Sequence, residues 1–192
     1  MGMKCSVVDI SHLNGPIQFH ALKDAGIVGV IIKMSQGSSY VDPNFEDNYT
    51  RACKVFGQAS THVYHFLDNS DPHAQAEHIL AVRSGFDPFI WLDYETNPSG
   101  QTCSLDTAVA VFHEVHAETG GCGIYGSDKL AEAIVAGHFV GVPMWGARYG
   151  AEPPTWLKSG LWQYSESGSI GGLTGVDLST FVNVDAEWFA SL

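Results

Sequence analysis

Short apolar runs alternate with segments of helical periodicity through most of this chain, and this alternation restricts the fold more than any other feature. The runs have the length and the β-branched and aromatic content of buried strands, at residues 5–10, 27–34, 59–66, 89–95 and 122–125. A segment with helical spacing or helix-capping residues follows each run. Strands that alternate with helices predict a parallel sheet, covered by the helices that connect its strands.

The segment after the second run has the clearest helical pattern. Its apolar residues recur at the spacing of one helix face, at Phe45, Tyr49, Ala52, Cys53 and Phe56. Further along the chain, Asp71 and Ser104 precede two more helical segments as N-cap residues, and Gly120 follows the second of these segments as a helix stop. These signals set the order of strands and helices.

The pattern changes after residue 142. Three strand-like runs follow, at residues 143–149, 160–164 and 175–178, and the turns between them are rich in Gly, Pro and Ser and too short for crossover helices. Five βα units followed by three strands give enough strands to close a barrel. We therefore predict an α/β fold, an irregular TIM-like barrel formed by residues 1–192 as a single domain.

The composition predicts a folded protein and argues against two classes of partner. The chain has 192 residues, of which 45% are hydrophobic, so it is able to bury a substantial core. It carries 9 basic and 21 acidic residues, a formal charge of −12, without a cluster of Lys or Arg. Nucleic acid and an anionic membrane surface are therefore not expected as partners. We expect a monomer.

Cysteine usage and the N-terminal residues bear on the cellular compartment. The four cysteines, Cys5, Cys53, Cys103 and Cys122, are irregularly spaced and form no C-x-x-C pair, so we interpret them as reduced thiols. The N-terminus has no basic start followed by an apolar stretch, as a signal peptide would have. We expect synthesis in the cytoplasm without a signal peptide, and a target outside the membrane would need a separate delivery route.

Two carboxylates end the fourth apolar run. Asp93 and Glu95 are two residues apart, and in a strand such residues point to the same face. Their mutual repulsion and partial burial are expected to raise the pKa of one of them, so that it keeps a proton near neutral pH. A carboxylic acid of this kind is what the cleavage of a glycosidic bond requires as its general acid.

Polar and aromatic residues also end other predicted strands. In βα barrels the reactive side chains lie at the carboxyl ends of the strands, so these residues are candidates for one site. They are Asp9, Tyr64, Trp145, Tyr149, Trp162, Tyr164 and Asp177. Closure of the barrel would place Asp9 near Asp177. Carboxylates hold hydroxyl groups and aromatic rings stack on sugar rings, so the set fits a carbohydrate.

Some conspicuous residues have ordinary explanations. Trp91 lies deeper in its strand than the acids, and we predict that it belongs to the core. Trp145, Tyr149, Trp162 and Tyr164 would serve either packing or sugar stacking, and the sequence leaves both open. His113 and His116 are three residues apart on a predicted helix, but no third ligand is placed nearby. We predict no metal site and no cofactor.

A series of short motifs in a fixed order resembles glycoside hydrolase family 25, the Chalaropsis-type lysozymes, which are N-acetylmuramidases. The motifs are at residues 8–12, 32–37, 40–43, 63–66, 92–95, 145–149, 161–164 and 176–178. The resemblance covers almost the whole chain. It implies an irregular barrel and cleavage of the β-1,4 bond between N-acetylmuramic acid and N-acetylglucosamine in the glycan strand of peptidoglycan.

The resemblance also implies roles for individual residues. Glu95 would be the general acid, and Asp93 would orient the 2-acetamido group that acts as nucleophile in a retaining mechanism. Asp9 and Asp177 would bind and polarise the sugar, and Tyr64 would hydrogen-bond the acetamido group. An inverting mechanism with Asp177 as base stays open, because it depends on the separation of the acids.

The resemblance further bears on delivery. Many members of the family carry cell-wall-binding repeats, and we expect no such module in residues 1–192. A muramidase without an export signal resembles a phage or prophage endolysin, which is released through a membrane lesion by phage lysis functions.

Two other functions are compatible with parts of the pattern. A non-catalytic glycan-binding domain would keep the aromatic residues and lose the acid, and the presence of all four carboxylates argues against it. A chitin-directed hydrolase of another family also ends a strand in D-x-E. The extended acidic motif of those enzymes is missing here, because residues 89–92 contain no further Asp.

Overall fold

The computed structural model describes residues 5–97, 99 and 102–192. In this part of the chain the strands are β1 Val7–Ile10, β2 Gly29–Gln36, β3 Tyr40–Val41, β4 Thr61–Phe66, β5 Ile90–Asp93, β6 Gly123–Gly126, β7 Met144–Ala147, β8 Gly160–Ile170 and β9 Leu173–Val182. The α-helices are α1 Phe19–Asp24, α2 Phe45–Phe56, α3 Pro72–Arg83, α4 Leu105–Thr119, α5 Asp128–Val135 and α6 Ala186–Ala190. None of these helices has the length and apolar content needed to cross a membrane.

Eight of the strands close a barrel, in the order β1, β2, β4, β5, β6, β7, β8 and β9, and β9 pairs back to β1. Short β3 pairs with β2. Neighbours from β1 to β8 are parallel, whereas β9 is antiparallel to both β8 and β1. The first five barrel strands are each followed by a helix, α1 to α5, and three strands complete the barrel. The predicted architecture is confirmed.

The last two strands differ from the prediction. They are 11 and 10 residues long and form a hairpin, because Ile170 pairs with Leu173 across the two-residue turn Gly171-Gly172. Both glycines have positive φ, 57° and 86°, as the tightest hairpin turns require. Asp177 therefore lies in the middle of an antiparallel strand, and not at a carboxyl end. The chain also ends in a helix, α6, which the strand-like pattern did not predict.

The residues predicted to begin and end helices do so in the structure. The side chain of Asp71 accepts a hydrogen bond from the Ala74 amide at the start of α3, and the side chain of Ser104 accepts one from the Thr107 amide at the start of α4. Gly120 ends α4 in the left-handed conformation, with φ 76°. The apolar stripe of α2 packs against the barrel through buried Phe45, Tyr49 and Ala52. These helices cover the outer face of the sheet.

Side chains inside the barrel form two layers, because alternate residues of each strand face inward. The lower layer is mostly apolar and includes Val7, Ile31, Trp91 and Leu161, with Phe189 of α6 packed against them. Two residues further along the same strands, the side chains are polar. We call these the upper layer, and they are Asp9, Lys33, Asp93 and Gln163.

Two glycines make room for the large rings of the lower layer. A Cβ atom at Gly123 would lie 2.4 Å from the indole of Trp91, and one at Gly29 would lie 2.5 Å from the ring of Phe189. Trp91 is fully buried, which confirms its predicted place in the core. Its indole N–H donates to Nδ1 of His62 at 3.2 Å, and the His62 ring stacks on Phe189. The floor under the polar side chains is therefore tightly packed.

Candidate active site

A cleft of about 400 Å³ opens above the upper layer, at the carboxyl ends of the parallel strands. Its lining includes all four predicted carboxylates and three of the five predicted aromatic residues, namely Asp9, Asp93, Glu95, Asp177, Tyr64, Trp145 and Tyr149. Its volume is in the range of about 300–1,000 Å³ that is usual for small-molecule sites. The structure therefore brings together side chains that come from opposite ends of the sequence.

Asp9 and Asp177 form a pair across the closure of the barrel. They are register partners between β1 and β9, and their carboxyl groups are hydrogen-bonded to each other. Burial raises the pKa of Asp9 well above its usual value, and the charge of Asp177 raises it further. Burial also raises the pKa of Asp177, although the hydrogen bond from Asp9 lowers it. The hydrogen bond between the two carboxyl groups therefore raises the pKa of Asp9 and lowers the pKa of Asp177.

Gln163 connects this pair to two tyrosines. Its Nε2 donates to Oδ2 of Asp9 at 3.0 Å, while its Oε1 accepts from the hydroxyl groups of Tyr125 at 2.8 Å and Tyr149 at 3.4 Å. Hydroxyl donors on the amide oxygen turn the NH₂ group towards Asp9. The network therefore fixes both the amide orientation and the position of the Asp9 carboxyl group.

Asp93 ends β5 and Glu95 follows two residues later, as the strand-end motif predicts. Asp93 is the last residue of the strand and only 5% exposed, and burial followed by the charge of Glu95 raises its pKa well above the usual value. Its Oδ1 has no hydrogen-bond partner among the described residues. Glu95 lies beyond the strand and is partly exposed. Burial and the charge of Asp177 raise the pKa of Glu95. Glu95 is thus the more accessible of two acids that favour the protonated form.

Lys33 provides positive charge among these acids. Its ammonium group donates to Gln36 at 3.1 Å and lies 5.7 Å from the centre of the Tyr64 ring, within cation–π distance. Burial lowers the pKa of Lys33, while Asp93 raises it. The same charge lowers the pKa values of Asp93 and Glu95. Lys33 therefore limits how far burial drives these acids towards the neutral form.

The three aromatic residues of the cleft differ in exposure. Trp145 is buried, and its indole N–H donates to the Ser179 hydroxyl at 3.1 Å. Burial raises the pKa of Tyr64 well above its usual value, so its hydroxyl group stays protonated as a donor. Tyr149 is half-exposed at the rim. Only Tyr149 among them presents a large exposed ring surface to a ligand, whereas Trp145 belongs to the floor of the cleft.

The prediction that Trp162 and Tyr164 lie at the mouth is wrong. Residues alternate in direction along β8, and Gln163 between them is the residue that faces the cleft. The indole N–H of Trp162 donates to the backbone oxygen of Arg148 at 2.8 Å, and Tyr164 packs against the apolar core outside the barrel. Both rings serve packing.

The sequence did not predict several further residues of the cleft, among them Lys33, Tyr125, Gln163 and Glu166. The first three follow the rule that was applied to the acids, since each is a polar side chain near the carboxyl end of an apolar run. Glu166 had no such signal, because the seventh predicted strand stopped at residue 164 and the observed β8 continues to Ile170. Among residues 5–97, 99 and 102–192, no group of three or more His, Cys, Asp or Glu is arranged to hold a metal ion.

Comparison with known proteins agrees with this geometry. The family model described as glycosyl hydrolases family 25 matches residues 8–173. Lysozyme M1 of Streptomyces globisporus is 31% identical over 199 residues, which cover 91% of this chain and 66% of that protein. The autolytic lysozyme of Clostridium acetobutylicum is 30% identical over 179 residues, which cover 91% of this chain and 55% of that protein. The chain thus spans just under two thirds of one relative and about half of the other.

Solved structures share the fold over nearly the whole chain. A bacterial lysozyme from Streptomyces coelicolor has a TM-score of 0.81 at 27% identity, and the match covers 99% of this chain and 97% of that chain. The catalytic domain of endolysin ply40 from bacteriophage P40 of Listeria monocytogenes has a TM-score of 0.82 at 23% identity, with full coverage of both chains. At 23% identity, the match to the endolysin domain shows a shared fold.

Proposed function

The chain belongs to glycosyl hydrolase family 25, and we propose on that basis that it is a peptidoglycan hydrolase of the N-acetylmuramidase type. Its reaction would be hydrolysis of the β-1,4 bond between N-acetylmuramic acid and N-acetylglucosamine. The observation that carries the proposal is the convergence of four carboxylates on one cleft, each with a raised pKa. Cleavage of a glycosidic bond needs a protonated acid beside groups that stabilise positive charge on the sugar.

Glu95 is the general acid in this proposal. It is more accessible than Asp93, and its raised pKa keeps a proton available at higher pH than an ordinary glutamic acid would. Protonation of the bridging oxygen lets the bond from that oxygen to the anomeric carbon break with a neutral alcohol as leaving group. Glu95 is then a carboxylate, and it takes a proton from the water that completes hydrolysis.

Asp93 orients the 2-acetamido group of the substrate. In the retaining route, the acetamido oxygen attacks the anomeric carbon as the bridging oxygen leaves, and the ring that forms carries a positive charge. The buried Oδ1 of Asp93, which has no partner among the described residues, is suited to accept the acetamido N–H. The Tyr64 hydroxyl is a second hydrogen-bonding partner for the acetamido group. Water then opens the ring and restores the original configuration.

Asp9 and Asp177 bind and polarise the reacting sugar. The hydrogen bond from Asp9 lowers the pKa of Asp177, which favours a negative charge on Asp177 beside the positive charge that develops on the sugar. Gln163 donates one hydrogen bond to Asp9 and accepts another from Tyr125, and these two bonds fix the position of the Asp9 carboxyl group. In the inverting alternative, Asp177 would instead activate a water molecule.

The wider setting is part of the same proposal. The substrate is the peptidoglycan glycan strand, and residues 1–192 act as a monomeric catalytic domain that reaches the cell wall after release by phage lysis functions. The fold shared with a phage endolysin domain supports that setting.

The test is the loss of activity in Glu95→Gln, measured as the turbidity of purified cell walls. Removal of a general acid costs about 10²–10⁴-fold in rate. Glu118→Gln, which changes an exposed glutamate of α4, is the matched control and should keep the full rate. Equal rates for Glu95→Gln and the unaltered protein would remove Glu95 from its role.

Mass spectrometry of the products identifies the bond that is cut. Muramic acid at the new reducing ends is the expected result. Glucosamine at those ends would instead point to a hydrolase with a different bond specificity, and release of no sugar by any variant would point to a glycan-binding domain.

A further inference from the structure

A β-bulge lies in the hairpin of β8 and β9, where the hairpin passes the cleft. Two residues of β8, Glu166 and Ser167, lie opposite a single residue of β9, Asp177. The pairs on either side are Ser165 with Leu178 and Gly168 with Val176. Bulges of this kind are frequent next to active sites, where the extra residue turns a side chain in a new direction. This bulge lies directly opposite one of the carboxylates assigned to the reacting sugar.

The bulge brings the Glu166 side chain to the cleft. Gln163 faces the cleft, so strict alternation along β8 would turn Ser165 towards it and Glu166 away from it. The structure shows the reverse, since Glu166 lines the cleft and Ser165 does not. Gly168 supports this path of the strand, because a Cβ atom there would collide with the side chain of Leu178. Glu166 is thus a fifth carboxylate of the cleft, in addition to the four assigned above.

The negative charge of Glu166 acts on the other ionisable groups of the cleft. Within residues 5–97, 99 and 102–192, no Lys, Arg or His forms an ion pair with Glu166, whose side chain is exposed. Burial is the largest cause of the raised pKa values of Glu95, Asp177 and Tyr149, and the charge of Glu166 raises all three further. A carboxylate that a bulge turns towards other acids is unfavourable for the fold, and such local conflicts are typical of functional sites.

We propose that Glu166 is a positioning residue for the hydrolysis, and that its negative charge keeps the proton on Glu95 until the bridging oxygen of the substrate takes it. This inference rests on the proposed muramidase function. Ionisation of Glu95 would bring two like charges into one cleft, so the charge of Glu166 opposes the loss of the proton to water. Lys33 acts on Glu95 in the opposite direction. The two charges together set the pH range in which Glu95 is able to donate.

Other charged and titratable groups surround Glu95 and are the same in every variant that changes position 166. In the cleft they are Asp9, Lys33, Asp93, Tyr125, Tyr149 and Asp177. In an adjoining cavity, Asp128 and Arg148 share the lining with Glu95. Because these groups are common to all the proteins compared, a difference between their pH profiles reports the charge at position 166.

The experiment is the pH profile of kcat/KM for Glu166→Gln, measured on the soluble tetrasaccharide with two N-acetylglucosamine–N-acetylmuramic acid units. This profile reports the ionisation of the free enzyme, and each profile is normalised to its own maximum so that a uniform change in binding drops out. Without the charge, Glu95 loses its proton at lower pH. The normalised rate on the alkaline side of the optimum should therefore fall about three-fold, as for one partly screened charge in the same cleft. The rate on the acidic side should not fall, because Asp177 then ionises more readily.

Two further variants separate charge from structure. Glu166→Lys reverses the charge and should lower the normalised alkaline rate about ten-fold, twice the Glu166→Gln effect on a logarithmic scale. Glu118→Gln removes an exposed charge of α4 and should leave the profile unchanged. Normalised profiles of both Glu166 variants that coincide with that of the unaltered protein would overturn this inference alone. So would the loss of all activity in folded Glu166→Gln, because a charge effect of this size leaves the enzyme active. An unaltered protein that cleaves the tetrasaccharide at no pH would overturn the proposed function, and this inference with it.

Discussion

The lower and upper layers of the barrel are built on the same strands and have opposite chemistry. Val7 is followed two residues later by Asp9, and Trp91 by Asp93, so one step of the strand changes the interior from apolar to charged. The lower layer buries large rings, one of which lies against Gly123. The upper layer buries carboxylates whose pKa values are raised. The difference separates the part of the barrel that holds the fold together from the part that would do chemistry.

Each layer depends on the other. The packed floor keeps water from the underside of the carboxylates, and this burial is the largest cause of their raised pKa values. The carboxylates in turn destabilise the fold at neutral pH, since a buried ionisable group loses hydration. Substitutions in the lower layer should therefore act on stability, and substitutions in the upper layer on activity, with some gain in stability where a charge is removed.

The largest effect on stability is expected for Trp91→Ala. The substitution removes a fully buried indole, its contact with the Trp145 ring at 5.9 Å and its hydrogen bond to His62. Replacement of a large buried side chain by Ala costs about 3–5 kcal/mol in the free energy of unfolding. Urea denaturation followed by circular dichroism would measure the loss.

Trp188→Ala is the matched control for this prediction. Trp188 of α6 packs against the same apolar cluster but is partly exposed, so its loss should cost about 1–2 kcal/mol, within the usual range for single substitutions. Equal decreases in the free energy of unfolding for Trp91→Ala and Trp188→Ala would mean that the buried rings of the lower layer do not contribute more to stability than a partly exposed ring does.

Gln163→Leu is expected to have a smaller effect on stability. The substitution leaves the buried Tyr125 hydroxyl without its acceptor and Asp9 without the donor at 3.0 Å. Unsatisfied buried polar groups cost about 1–3 kcal/mol. Activity should also fall, because the position of the Asp9 carboxyl group depends on this bond.

Gln163→Glu separates the two contacts of this residue. The carboxylate keeps an acceptor for Tyr125 and removes the donor to Asp9, and it adds a negative charge beside the Asp9–Asp177 pair. Its loss of stability should be larger at pH 7 than at pH 5, where the added acid is more readily protonated. A loss independent of pH would mean that repulsion from the Asp9–Asp177 pair is not what destabilises this variant.

The order of elements was predictable from the sequence because local signals mark it. Turn and capping residues such as Ser104 and Gly120 act within a few residues, and strand and helix periods differ. The direction of the last strand was not predicted, although Gly171-Gly172 between two strand-like segments is a hairpin signal. The helix α6 was missed because it has only five residues, and its role, to place Phe189 under the barrel, depends on long-range packing.

The four acids of the candidate site were predictable because each lies near the barrel rim, either on a strand or, for Glu95, just after one. The prediction that Asp9 lies near Asp177 also required the closure of the barrel, which was inferred from the number of strands. The aromatic residues were less predictable, because a one-residue error in facing moves a side chain to the other side of the sheet. Trp162 and Tyr164 illustrate this, since Gln163 between them is the residue in the cleft.

The smallest effect, and the one that tests the upper layer most directly, is expected for Asp9→Asn. Asn carries the hydrogen-bonding groups of a protonated Asp, so it keeps an acceptor for Gln163 and a donor for Asp177. It removes the cost of ionising a buried group. We expect the free energy of unfolding at pH 7 to rise by about 0.5–2 kcal/mol, as is common for stabilising substitutions, while activity falls.

The pH dependence of this difference follows from the direction of the pKa shift. The pKa of Asp9 is higher in the folded protein than the value of about 3.9 in an unfolded chain. Between these two values the folded protein binds more protons, so the contribution of Asp9 to stability is fully present below the unfolded pKa and is lost as the pH rises through the folded pKa. The advantage of Asp9→Asn should therefore be largest at pH 7 and should shrink towards pH 4.

Buried histidines do not obscure the measurement. Burial lowers the pKa of His62 and of His65 to about 3, so their contribution has the opposite dependence and is lost as the pH falls below about 6.5. The unaltered protein and Asp9→Asn both contain these histidines. Their effect therefore cancels when the free energies of unfolding of the two proteins, measured by thermal unfolding at each pH, are subtracted. A difference that stays constant from pH 7 to pH 4 would mean that Asp9 is not titrating with a raised pKa. The buried Asp9 carboxyl group of the upper layer would then not lower the free energy of unfolding at neutral pH.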